Sequence, residues 1–183
     1  MMSEVILTER LRLRAWRPDD LDALIELFAK PEVWHYPLRR GFTPEETTVF
    51  LERQIKAQDN GEIALMAAED RSSTQLLGYI GLGVPNFLPV VMPAVEIGWR
   101  LDPSVWGRGL ATEGALAVLA YGFDVLELQS VVSIYEPDNF ASGRVMQHLA
   151  MQFDRNTVDP ARDLPLRVYR LSKSLWVEHS TIR

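Results

Sequence analysis

The stretch running from Val95-Glu-Ile-Gly-Trp-Arg-Leu101 through Asp102-Pro-Ser-Val-Trp-Gly-Arg-Gly-Leu-Ala-Thr112 constrains the fold more than any other part of the chain. Its first half alternates, with Val95, Ile97, Trp99 and Leu101 on one side and Glu96, Gly98 and Arg100 on the other. That period of two identifies a strand. The second half breaks the period at Asp-Pro and at two glycines, which mark a turn. Gly109 to Val125 then reads as a helix, apolar on most sides and rich in Ala and Gly, as a helix packed closely on a sheet is. Gly107 and Gly109 permit positive φ or a close approach of the backbone to a ligand. The amides of Leu110, Ala111 and Thr112 become the unpaired donors of a helix start. A phosphate at such a terminus gains from both the amides and the dipole, and Arg108 adds a forked cation. Local pattern alone serves a phosphate site and a purely structural turn equally well. The Walker pattern fails because no Gly-Lys-Ser/Thr follows. The dinucleotide fingerprint fits halfway, with Thr112 in its third glycine position and strands rather than a βαβ start before it.

The rest of the chain supplies elements that surround this segment. Thr8 to Trp16 alternates strictly, which predicts a half-buried strand with Arg10, Arg12 and Arg14 on its outer face. Pro18-Asp-Asp20 starts a helix with Leu21, Leu24, Ile25 and Phe28 inward, and Pro31 ends it. Thr43-Pro-Glu-Glu46 starts a second, with Val49, Phe50 and Ile55 inward and Asn60-Gly61 as its stop. Ile63 to Ala68, Leu76 to Val84 and Ser130 to Tyr135 read as strands, Asn139 to Ala150 as a helix, and Leu166 to Leu171 as the last strand. Pro85, Pro89 and Pro93 mark an irregular loop. The order predicts a mixed sheet with helices packed on it.

Composition narrows the function. A chain of 183 residues suits one domain over 1–183, with a core large enough to need no staple. Nineteen basic against 25 acidic side chains leave a net charge of −6, so no nucleic-acid footprint is expected. The absence of cysteine removes disulfides, thiolate metal sites and a thiol nucleophile. His35, His148 and His179 lack ligand spacing, so no metal is expected. The start, Met1 to Trp16, carries no uninterrupted apolar run of the signal-peptide kind, and no window reaches the length of a membrane span; the expectation is a cytoplasmic protein without membrane association.

Four separated pieces resemble the GCN5-related N-acetyltransferase (GNAT) family, in its RimJ/RimL-type branch. They are Thr8-Glu-Arg-Leu-Arg-Leu-Arg14 with Pro18-Asp-Asp20, then Glu96-Ile-Gly-Trp99 with Trp106-Gly-Arg-Gly-Leu-Ala-Thr-Glu113, then Pro137-Asp-Asn-Phe-Ala-Ser142, and finally Val168-Tyr-Arg-Leu-Ser172 with Trp176 in the terminal strand. They span nearly the whole chain in the family's order. The resemblance implies an α+β fold of three layers: a mixed, mostly antiparallel central sheet of about six to seven strands flanked by about four helices. It further implies that the loop over Trp106, Gly107, Arg108, Gly109, Leu110, Ala111 and Thr112 holds the pyrophosphate of acetyl-CoA. On the same grounds, Ile97, Trp99, Arg100 and Leu101 flank the pantetheine arm, Asn139 contacts that arm, and Ser142 stands near the thioester sulfur. Many members carry a tyrosine four residues after that serine; here it is Met146, so protonation of the thiolate falls to Ser142 or water. Ala150-Met151 replaces the usual Gly-Phe or Gly-Met, at small cost unless that position has positive φ.

The implied activity is transfer of the acetyl group of acetyl-CoA to a primary amine by direct attack in a ternary complex. Glu96 is the candidate base, directly or through water; its alternative is an ion pair with Arg100 on the same strand face. An α-amine near pKa ~7.8 is roughly 30% neutral at pH 7.4, whereas a lysine amine near ~10.4 is about 0.1% neutral. That difference favours a protein or peptide N-terminus over a lysine side chain. The alternatives are a small amine (amino acid, polyamine or aminoglycoside) and a non-catalytic acyl-CoA-binding regulatory protein. Trp34, His35 and Tyr36 are the candidate acceptor wall, or else a cap on the core. Phe87 to Met92 is an apolar loop that is buried, closes over the acceptor or forms a contact between copies, so the chain acts as a monomer or a homodimer.

Overall fold

The computed structural model describes residues 5–180, and the extreme ends of the expected domain lie outside them. Strands β1 (Ile6–Leu7), β2 (Leu11–Arg14), β3 (Leu65–Asp70), β4 (Leu76–Gly83), β5 (Glu96–Leu101), β6 (Ser130–Tyr135), β7 (Gln152–Asp159) and β8 (Leu164–Ser172) form one sheet. Its order is β1-β2-β3-β4-β5-β6-β8-β7. Every neighbouring pair is antiparallel except β5 with β6. The helices are α1 (Leu21–Phe28), α2 (His35–Leu38), α3 (Pro44–Asp59), α4 (Leu110–Asp124), α5 (Phe140–His148) and α6 (Lys173–Ser180). No helix among the described residues is long and apolar enough to cross a membrane.

Alternation across the sheet creates two cores. On one face Leu11, Leu13, Ile80, Ile97 and Val131 pack with Ala115, Val118, Leu119 and Phe123 of α4. On the other, Trp16, Ala67 and Tyr79 pack with Leu24, Leu27 and Phe28 of α1 and Phe50 and Leu51 of α3. The start signal of α3 behaves as expected: the Thr43 side chain accepts from the Glu46 amide at 3.2 Å and the Glu46 carboxylate accepts from the Thr43 amide at 2.9 Å.

Several expectations need correction. The sheet has eight strands. The first predicted strand, Thr8 to Trp16, is shorter than expected: β2 covers Leu11–Arg14, and residues 8–10 form the turn of a hairpin with β1, held by Glu113, which takes the Thr8 hydroxyl at 2.5 Å and the Arg10 amide at 2.8 Å. Arg14 is not on an outer face but 4% exposed, with Asp20 and Glu69 each at 2.6 Å. Val49 is 65% exposed; α3 buries Thr47, Phe50, Leu51 and Gln54, the spacing of a single helical stripe. Strand β7 has an almost wholly exposed edge face and therefore no apolar alternation to read. Trp176 lies in α6, beyond the terminal strand, its ring stacked on Phe123 at 5.6 Å.

Ala150 adopts φ 58° just after α5. Its amide donates to Gln147 O and the Met151 amide donates to Met146 O, both at 3.0 Å, a Schellman closure in which glycine is the favoured residue.

Candidate active site

The parallel pair β5 and β6 is joined at one register position, Glu96 opposite Val132, where the Val132 amide donates to Val95 O at 2.9 Å. Beyond it the strands part, and Ser133 Oγ crosses the opening gap to Ile97 O at 3.0 Å. The Asp102 amide donates to Leu77 O at 2.7 Å, so even-numbered residues of β5 turn their backbone groups toward β4. Odd-numbered residues therefore turn theirs into the gap. There the Leu101 carbonyl receives the Trp106 indole at 2.7 Å. The amide and carbonyl of Trp99 face the same gap, ready-made partners for an extended polar chain.

The chain then turns at Pro103–Val105, with Asp102 accepting the Ser104 amide at 2.9 Å and bonded to Lys30. Gly107 and Gly109 take φ of 72° and 78°. A Cβ at Gly107 would meet nothing within 4 Å, so the turn is open to its front. No side chain caps the start of α4, and the first amide paired within the helix is that of Glu113, onto Gly109 O at 3.0 Å. The Leu110, Ala111 and Thr112 amides are thus the uncommitted donors of the helix start, with exposed Arg108 beside them. Arg10 braces this turn: its guanidinium donates to Arg108 O at 2.9 Å and pairs with Glu113 at 2.6 Å. Sequence reasoning missed that brace because Arg10 looked like one of three outward arginines.

Glu96, Gly98 and Arg100 lie on the sheet face away from α4. Burial pushes the Glu96 carboxyl up to about 8, opposed by a hydrogen bond from the Ile134 amide and by the charge of Arg100. The side chain keeps partial exposure, into the cleft. Glu96 and Arg100 make no ion pair within 4.0 Å. Arg100 is committed elsewhere: to Tyr79 Oη at 3.2 Å, to the Val33 carbonyl, and over the Trp34 ring at 3.8 Å. A cleft of about 1970 Å³ opens here, lined by both the gap and the glycine turn.

The remaining candidates divide. Asn139 caps α5, accepting the Ser142 amide at 3.2 Å, so its oxygen is occupied while its amide nitrogen stays available. Asn139, Ser142 and Met146 all line the cleft, Met146 from the core beneath α5, where it is 1% exposed. Trp34 is chiefly a core residue, stacked on Phe42 at 3.7 Å, and also lines the cleft. His35 is exposed, and Tyr36 bridges to the β6–α5 loop through its hydroxyl and Asp138 O at 3.0 Å. The apolar loop is split, Leu88 and Val91 being buried against Val132, Leu166 and Val168 while Phe87 is 43% exposed at the cleft. Glu136, bonded to Arg39 and 6% exposed, also lines the cleft and was not anticipated. No metal-holding group of carboxylates and histidines occurs among the described residues.

Residues 10–152 match the family model of the acetyltransferase (GNAT) domain. The chain is 29% identical to the uncharacterized N-acetyltransferase YnaD of Bacillus subtilis (strain 168), over 80% of this chain and 82% of that one. Its fold resembles that of a GNAT-family acetyltransferase from Bacillus anthracis, with TM-score 0.78, 24% identity, and 93% and 99% of the two chains covered. It also resembles the fold of RimL, a ribosomal L7/L12 alpha-N-protein acetyltransferase solved in complex with coenzyme A, with TM-score 0.75, 18% identity, and 94% and 99% covered. With the family-model match spanning most of the sequence, this chain belongs to the GNAT acetyltransferase family.

Proposed function

We propose that this acetyltransferase moves the acetyl group of acetyl-CoA to the α-amine at the N-terminus of a protein or peptide, by direct attack within a ternary complex. The observation that carries the reading is Glu96, a carboxyl at the root of the splayed strands whose pKa is raised to about 8. A base matches its task when its pKa lies near that of the proton it removes. An α-ammonium near ~7.8 is matched by Glu96, whereas a lysine ammonium near ~10.4 would be uphill by about 3 kcal/mol.

In this reading the pyrophosphate seats on the amides of Leu110, Ala111 and Thr112, with Trp106, Gly107, Arg108 and Gly109 shaping the turn. The pantetheine arm runs in the gap along the backbone of Ile97, Trp99 and Leu101 and past Asn139, while Arg100, expected beside it, turns its backbone to β4 and its guanidinium to Val33, Tyr79 and Trp34. Glu96 takes the proton of the acceptor amine, whose nitrogen bonds to the thioester carbon. The tetrahedral intermediate collapses, the C–S bond breaks, and the thiolate takes a proton from Ser142 or from water. The test is kcat/KM for a peptide with a free N-terminus against the same peptide blocked there and carrying one internal lysine. Faster turnover of the free N-terminus is expected. Preference for the lysine side chain, or turnover of free small amines but not peptides, would refute it.

A further inference from the structure

We infer that Glu136 recognises a second cationic nitrogen on the acceptor, so that the substrate is a diammonium whose two nitrogens lie about 7 Å apart. The inference builds on the reading of Glu96 as the base at the acetylated amine. Glu136 is 6% exposed and lines the same cleft. One of its carboxylate oxygens accepts from Arg39, while Oε1 is buried with no hydrogen-bond partner. A carboxylate offers about four acceptor positions, and a buried one left unmet costs the desolvation of that group.

Arg39 does not meet this need. Its guanidinium is held by His35 O at 2.9 Å and lies over the Tyr36 ring at 4.7 Å. With Tyr36 bonded to Asp138 O and Arg39 to Glu136, the α2 segment is tied twice to the loop carrying Glu136. The spacing follows from the strand. The Glu96 carboxyl meets the Ile134 amide, and Glu136 follows directly on the end of β6, two positions after Ile134. At ~3.3 Å per residue two positions of extended chain span about 7 Å, which sets the scale of the separation between the two carboxylates. The α- and ε-nitrogens of a lysine residue in extended form are separated by about that distance, as are the ends of a five-carbon diamine. An apolar group in this place would leave Oε1 unpaired, and sites built around a buried polar atom reject ligands that cannot satisfy it.

The test is calorimetric titration of the full chain saturated with CoA, so that no turnover intervenes. The probes are the tripeptide amides Lys-Ala-Ala and norleucine-Ala-Ala, which differ by one ammonium, together with 1,5-diaminopentane. The lysine peptide is expected to bind about tenfold or more tightly than the norleucine peptide, and Glu136→Gln, with its CoA affinity and unfolding transition retained, to cut that preference to about twofold. Equal binding of the two peptides to the wild-type protein overturns the inference, as does no measurable binding of the lysine peptide or a preference that survives Glu136→Gln. Diamine binding as tight as the lysine peptide assigns the diammonium to a small molecule; weaker binding assigns it to an N-terminal lysine. Acetylation of both peptides at equal affinity would leave the proposed function standing and this inference refuted. Glu136-dependent binding without acetylation would do the reverse.

Discussion

Glu96→Gln should raise stability while it removes activity, and the size of the gain should depend on pH. In the unfolded chain the carboxyl loses its proton near 4.5; in the folded protein it keeps that proton up to about 8. Between those values the unfolded state binds fewer protons than the folded one, so stability falls as pH rises. The contribution is fully present below 4.5 and fully lost above about 8. At 1.36 kcal/mol per pKa unit the ceiling is on the order of 4–5 kcal/mol. Glu96 keeps partial exposure to the cleft, and solvent there reduces the expectation to about 2 kcal/mol. Glutamine keeps an oxygen for the Ile134 amide and cannot ionise. For a chain of this length that corresponds to a midpoint about 4–8 °C higher than wild type at pH 8.5, and no difference at pH 4.5. Calorimetric melting at a series of pH values measures this directly. Paired kinetics should show wild-type kcat/KM rising with pH and levelling above about 8, and the variant slow and flat. A melting difference that stays constant from pH 4.5 to 8.5 would refute the burial argument. A fully active variant would refute the role as base.

Gly109→Val puts a β-branched side chain at φ 78° in front of the uncommitted amides of α4. It should weaken CoA binding by about tenfold or more by calorimetry, while circular dichroism reports a folded chain. Ala150→Gly should stabilise: relief of about 1–2 kcal/mol at φ 58° less about 0.4–1 for the freer unfolded chain leaves roughly 0.5–1 kcal/mol. The melting midpoint then rises about 1–4 °C, and an unchanged or lower midpoint counts against the strain. Arg14→Met strands Asp20 and Glu69 as buried carboxylates without their shared cation, and should cost about 3–5 kcal/mol in urea unfolding. A loss below ~1 kcal/mol would mean that the two carboxylates find other partners.

Local patterns carried much of the architecture. The alternation of residues 95–101, the glycine turn and the apolar helix after it appear as β5, an open turn and α4. Thr43 and Glu46 form the reciprocal cap that their spacing implies. These features depend on residues a few positions apart, where one turn or one pleat fixes the geometry. Even the consequence of Ala150 was conditional on a single dihedral angle that composition does not reveal.

What escaped depends on partners far away in the chain. Among the described residues strand β7 pairs only along β8 and turns most of its surface to water, so its exposed side chains need no apolar alternation. Arg14 follows the same alternation as Arg10 and Arg12, yet β3 and the Pro18–Asp20 turn bring two carboxylates to it and it is buried. Glu136 meets Arg39 across 97 positions. Hydrophobic period and turn chemistry therefore set which segments are strands, helices and turns, because those preferences are local. The pairing of buried charges and the splay of β5 from β6 were set by tertiary packing, because a charge becomes costly to leave unpaired only once the fold has removed its water.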